Sequence, residues 1–229
     1  MTAHFVSLLE ELRRRSLRMA SQTEDMVQEA CEAVHDADKQ LAMRVILRDE
    51  EVDTAEVDVE AEVIRLLALY QPMGIDLRLL CTILKVNNNL ERVADCAVNV
   101  AERASHGELQ AVARESADLR QLCPVVRQAL RSAIQAYAQD DADIARRVME
   151  EDSATDALYQ HIVRSVVAES PRSPERIAAM LDMLSVAKNL ERIADHATNI
   201  AEDVVFMKTG AIVRHHREEP LRRRNAVDG

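Results

Sequence analysis

Apolar residues recur at steps of three and four along most of the chain, the spacing that gathers them on one face of an α-helix. Ile83, Val86, Leu90, Val93, Ala97 and Val100 form one such stripe, and Val52, Val59, Val63, Leu66 and Tyr70 form another. Gly and Pro are rare, so they mark the joints: Pro72 with Gly74, Gly107, Pro171 with Pro174, and Gly210. The pattern predicts six helices, near 4–35, 37–70, 74–105, 109–138, 140–169 and 173–208, with a polar tail after about 217. Pro124 falls near the start of its segment, where it fits a first turn or else kinks the helix.

The polar positions repeat as well. NLERVADCAVNVAE at 89–102 returns as NLERIADHATNIAE at 189–202. DKQLAMRVILRDEEVD (38–53) matches DADIARRVMEEDSATD (141–156), pairing Ala42 with Ala145, Arg44 with Arg147, Val45 with Val148, Asp49 with Asp152 and Asp53 with Asp156. Further back, Val27, Ala30, Cys31 and Val34 fall opposite Leu130, Ala133, Ile134 and Tyr137. Self-similarity of this kind predicts an all-α protein of two tandem three-helix bundle repeats. The first spans 1–107 and the second 108–216, and a polar tail over 217–229 is expected to stay disordered.

Composition agrees with helices. In a chain of 229 residues, 48 % are hydrophobic but only 2 % aromatic, with no Trp, so Leu, Val, Ile, Ala and Met must build the core. The formal net charge of −11 argues against nucleic acid as a partner, because phosphodiester backbones need basic stripes. The N-terminus lacks the apolar core of a signal peptide, and no run of about 18 apolar residues could span a membrane; a soluble, cytoplasmic protein is expected. Cys31, Cys81, Cys96 and Cys123 are scattered without C-x-x-C spacing and read as small buried hydrophobes with reduced thiols.

The candidate chemistry lies in the acids. At about 100° per residue, Glu91, Asp95, Asn99 and Glu102 form a row away from the apolar stripe, as do Glu191, Asp195, Asn199 and Glu202. Asp49 and Asp53, continued by Glu56 and Glu60, line the preceding helix, and Asp152 and Asp156 take the matching places in the second repeat. A bundle must repeat its apolar positions to fold, but nothing in folding requires the outer carboxylates to repeat. Acids at i and i+4 destabilise a helix by roughly 0.2–0.5 kcal/mol per pair, and four such pairs stand here, which points to a cation. Carboxylates without Cys select hard ions such as Mg²⁺, Mn²⁺ or Ca²⁺, or iron. Structural zinc is disfavoured. So is a di-iron oxidase, which needs two Glu-x-x-His pairs where the chain supplies only Glu32 and His35. Arg92 and Arg192 read as solvated, His196 as a packing residue, and His215 and His216 as part of a basic tail.

Taken together, ERVAD and ERIAD, each with an Asn four residues after the Asp, QPMGIDLR (71–78) and FMKTGAIVRH (206–215) resemble the PhoU family of phosphate-uptake regulators. The resemblance, from Phe5 to His216, implies paired three-helix bundles, commonly dimeric. It also implies metal ions, Fe, Mn, Mg or Zn, held on the surface by Asp49, Asp53, Glu91 and Asp95 and by Asp152, Asp156, Glu191 and Asp195, with Asn99, Glu102, Asn199 and Glu202 as additional ligands. Such proteins have no known catalysis; they couple the ATPase subunit of the phosphate ABC transporter to a sensor histidine kinase and repress the phosphate-starvation response. The chain departs from the family pattern with Ala94 and Ala194 where Gly usually precedes the motif Asp, and with SPRSPERIA in place of a second QPxxxDLR. The rivals are a metal-dependent phosphohydrolase on the same carboxylates and a purely structural helical scaffold. Against the enzyme, the sequence shows no paired general base, no nucleophile with a His partner and no Gly-rich phosphate loop.

Overall fold

The computed structural model describes residues 3–106 and 108–213. Gly107, His215, His216 and the tail lie outside the described residues. Within them the chain forms α1 (Ala3–Asp36), α2 (Lys39–Tyr70), α3 (Ile75–Ala104), α4 (Leu109–Glu115), α5 (Ala117–Gln139), α6 (Ala142–Glu169) and α7 (Ile177–Thr209), with a 3₁₀ turn at Pro174–Arg176 before α7.

The expected all-α tandem bundle is what the chain adopts, with seven α-helices rather than six. The segment expected as one helix over 109–138 divides at Ser116, whose backbone is extended (φ −76°, ψ 107°). Its hydroxyl accepts from the Leu119 N–H at 3.1 Å, so a serine able to cap a new helix ends the old one. Because α5 begins at Ala117, Pro124 stands inside the helix and not in its first turn. The last helix begins later than expected because Pro174–Arg176 closes as a 3₁₀ turn.

The repeat reaches down to the turns. Ala37 (φ 66°) and Asp140 (φ 54°) both take the left-handed conformation, and each is followed by an aspartate that caps the next helix. Asp38 accepts from the N–H groups of Gln40 and Leu41 at 2.9 and 3.0 Å, and Asp141 from those of Asp143 and Ile144 at 2.8 and 3.0 Å. Each aspartate satisfies two N–H groups that the helix itself leaves without partners.

In each repeat three helices pack together: α1, α2 and α3 in the first, α5, α6 and α7 in the second, with α4 against α7. The two are joined along an antiparallel pair, α3 and α7. Thr82 donates to the Asp203 carbonyl, Asn89 meets His196, and Arg103 and His106 reach Asp182. All six α3 stripe residues are buried, as are Val52, Val59, Val63 and Leu66 of α2. Tyr70 is only half-buried and tilts against Phe5, ring centres 4.9 Å apart. Cys31 and Cys96 are buried as expected, but Cys81 and Cys123 are half-buried. Among the described residues no helix is long and apolar enough to cross a membrane.

Two stretches that carried the family resemblance meet at one end. Gly210 ends α7 at φ +75°, and a Cβ there would lie 2.9 Å from the Arg78 guanidinium. Glycine suits both the positive φ and the close approach.

The first helix also holds the second repeat directly. Arg13 donates to Asp140 Oδ1 at 2.6 Å and to the Ala138 carbonyl at 3.1 Å, so a cation from α1 closes the C-terminus of α5. One turn on, the Ser16 and Tyr137 hydroxyls are 2.9 Å apart, both fully buried. Burial pushes the Tyr137 phenol up to about 12, so it stays protonated. Tyr137→Phe and Ser16→Ala should each lower stability by about 1 kcal/mol. In chemical denaturation the double variant should lose less than the two singles added, the signature of direct coupling.

Candidate metal centre

The repeated acids face the seams α2–α3 and α6–α7, and neighbouring helices cover part of them. In the second repeat, Asp156, Glu191 and Asp195 bring one carboxylate oxygen each within 4.8 Å of one another, with Glu191 half-buried and the other two open to solvent. Two oxygens on opposite sides of a hard cation are about 4–5 Å apart at ordinary metal–oxygen distances, so this spacing fits one ion. The donor set, oxygen only, suits Mg²⁺, Mn²⁺, Ca²⁺ or iron.

The electrostatics express the crowding. Partial desolvation, then Glu191, Asp152 and Asp156, push Asp195 up to about 6, against the pull of Lys188. Asp152 is raised by burial, although its hydrogen bond from Thr198 Oγ1 at 2.9 Å opposes the shift. Lys188 donates to Glu191 at 2.6 Å and lies over the Tyr159 ring, so an ammonium neutralises part of the cluster.

The first repeat places the same acids together but treats them differently. Asp49 is raised by burial and by Asp53 and Asp95, and Glu91 by burial and Asp95. Arg92 reaches Glu91 at 3.3 Å and Asp95 at 3.4 Å, so it is no merely solvated arginine. Asp49 Oδ1 is buried with no hydrogen-bond partner among the described residues. The repeats explain why: Thr198, which serves Asp152, corresponds to Val98, which has no hydroxyl, and Lys188 corresponds to Asn88.

The additional ligands expected from the sequence divide. Asn99 turns its amide onto the Asp95 carbonyl at 2.8 Å, and Glu102 is exposed. Asn199 and Glu202 instead line a groove of about 750 Å³ together with Glu56 and Glu60 of α2 and Asp152 and Asp195 of the second repeat. Acids of both repeats therefore share one face. His196 packs as expected: its Nδ1 lies 3.0 Å from the Asn89 side-chain oxygen, and burial first, then Arg192 and Arg92, hold its pKa down to about 4. It is a neutral bridge between α3 and α7. Ala94 and Ala194, where Gly was expected, are buried at the start of each cluster. Lys188, Thr198 and Asn89 escaped the sequence reading. The first two sit where otherwise matching repeats differ, which is the signal that could have found them.

Comparison with known proteins agrees with this architecture. The family model described as PhoU domain matches residues 16–104 and 119–204. A Pseudomonas putida protein named phosphate-specific transport system accessory protein PhoU homolog is 36 % identical over 92 % of this chain and 83 % of its own length. The crystal structure of PhoU from Pseudomonas aeruginosa superimposes with a TM-score of 0.84 at 33 % identity, over 90 % of this chain and all of that one. That of the phosphate transport system regulatory protein PhoU from Streptococcus pneumoniae gives 0.83 at 25 % identity, covering 91 % and 99 %. With both repeats matched by one domain family and the whole helical frame shared with its solved members, the chain belongs to the PhoU family.

Proposed function

We propose that the chain is a metal-binding cytoplasmic adaptor that negatively regulates phosphate uptake. In this reading it works as a homodimer and couples the ATPase subunit of the phosphate ABC transporter to a sensor histidine kinase. The observation that carries the metal part is the cluster of Asp156, Glu191 and Asp195, whose oxygens converge within 4.8 Å. The names of the relatives, an accessory protein and a regulatory protein of phosphate transport, support the adaptor role over an enzymatic one.

Asp156 of α6 with Glu191 and Asp195 of α7 would hold the ion, which would supply positive charge to offset the carboxylates across that seam. The chain's own residues prepare for it. Thr198 fixes Asp152, Lys188 holds Glu191, and Asp195, raised only to about 6, stands ionised near neutral pH. In the first repeat Arg92 stands against Glu91 and Asp95 and competes with any ion held by Asp49, Asp53, Glu91 and Asp95. The second repeat is the tighter site in this reading.

Three outcomes are expected. In thermal melts, Mn²⁺, Mg²⁺ or Fe²⁺ at a hundred times its Kd should stabilise the protein by about 2.7 kcal/mol, which is several degrees. Asp195→Asn should remove most of the shift and Arg92→Ala should strengthen binding in the first repeat; no shift with any of the three ions in the unaltered protein leaves an empty scaffold. Secondly, folded Asp195 holds its proton more tightly than the unfolded chain, so its contribution favours the fold below pH 3.8 and is lost as pH rises through about 6. Asp195→Asn should therefore make the metal-free protein more stable at about pH 7.5, by on the order of 1 kcal/mol after solvent screening, and flatten its stability profile between those limits. Finally, the protein should capture the transporter ATPase and the sensor kinase from phosphate-replete cells. Capture of neither rejects the adaptor, and phosphoester turnover that disappears in Asp195→Asn favours the phosphohydrolase.

A further inference from the structure

The four cysteines are far apart in sequence, yet α1 and α5 bring two of them together. Cys31 and Cys123 line one cavity of about 520 Å³ whose walls come from α1, α4 and α5. Each thiol is the first influence on the ionisation of the other. Cys31 is 4 % exposed and Cys123 half-buried at the cavity wall, so a small solute reaches Cys123 first.

We infer that Cys31 and Cys123 form a peroxide-oxidisable thiol pair, Cys123 reacting first and Cys31 closing a disulfide that ties α1 of the first repeat to α5 of the second. The inference stands independently of the metal reading.

The surroundings assign the roles. Cys123 is the more exposed of the two, and its neighbour Cys31, helped by Arg127 and opposed by burial, draws it below the usual thiol range. Cys123, then burial, pushes Cys31 up. Arg114, Arg120 and Arg127 face the cavity against Glu32 and Asp36, which favours a thiolate at Cys123. Thiolates are the nucleophilic form, and a low-pKa thiol beside a resolving thiol is the arrangement that supports reversible oxidation. By contrast, Cys96 is buried and raised by that burial, so it serves as an internal control, as does Cys81.

The steps balance. The Cys123 thiolate attacks one oxygen of hydrogen peroxide, the O–O bond breaks, and hydroxide leaves and takes up the proton released when Cys123 ionised. Cys123 is now a sulfenic acid. The Cys31 sulfur attacks the Cys123 sulfur, the S–O bond breaks, and the hydroxyl leaves with the Cys31 proton as water. Two thiols and one peroxide thus give one disulfide and two waters, each sulfur oxidised by one electron equivalent and the peroxide oxygens reduced. A dithiol reductant restores the pair.

The test uses the full-length protein, reduced, freed of reductant and exposed to hydrogen peroxide. The intact mass should fall by two hydrogens, reagent-accessible thiols under denaturing conditions should fall from four to about two, and non-reducing peptide mapping should find Cys31 joined to Cys123, all reversed by dithiothreitol. Cys31→Ser should stop at a Cys123 sulfenic acid that dimedone captures, and Cys123→Ser should lose both cross-link and adduct. The inference is overturned if the unaltered protein yields Cys123 sulfinic acid without the joined peptide, or if Cys81 or Cys96 oxidises as fast as Cys123.

Discussion

Everything in this molecule hangs on how closely α3 and α7 lie against each other. Val86, Leu90 and Val93 on one helix and Val186, Leu190 and Ile193 on the other are all buried, so the pair lies inside the molecule with the other helices packed around it. That contact sets where α2 and α6 can sit, since each packs on one member of the pair. It also puts the acid rows at the edges of the pair instead of inside it. The polar contacts along the seam add direction: Lys85 with Asp203 at 2.7 Å and His196 with Asn89 at 3.0 Å fix the antiparallel register, because a one-turn slide would break both.

The two repeats carry the same acids, and single residues set their surroundings apart. The second repeat has a hydroxyl at Thr198 on Asp152 and an ammonium at Lys188 on Glu191. The first has Val98 and Asn88 at those places, and Arg92 spans Glu91 and Asp95. A guanidinium lying between two acids and an ammonium holding one acid from the side leave different room for a cation, although the acids themselves are the same. The shared groove is lined by acids of both repeats, Glu56 and Glu60 from the first and Asp152, Asp195 and Glu202 from the second.

Much of this was legible in the residues. The stripe from Ile83 to Val100 is buried throughout because its spacing is a property of one helix and needs no knowledge of its partner. The paired repeats follow from self-similarity. What stayed hidden depends on distance across the fold. Periodicity puts Arg92 on the outer face but does not show that its side chain reaches two acids. It shows Cys31 and Cys123 on apolar faces but not that those faces meet. Ser116 was overlooked for a different reason: α4 and α5 are both helical, and a cap between two helices leaves the hydrophobic rhythm almost undisturbed.

The contacts of α1 bear on how the chain is made. Arg13 and Ser16 are synthesised early, yet their partners Asp140 and Tyr137 lie 127 and 121 residues further on. A ribosome adding about 5–20 residues per second needs several seconds or more to cover that distance. Through that interval α1 has its own repeat to pack against, but the polar groups meant for α5 face water. The first repeat thus waits on the second for its final contacts, and a nascent chain arrested before Tyr137 would display an unfinished surface to whatever quality-control factors survey it.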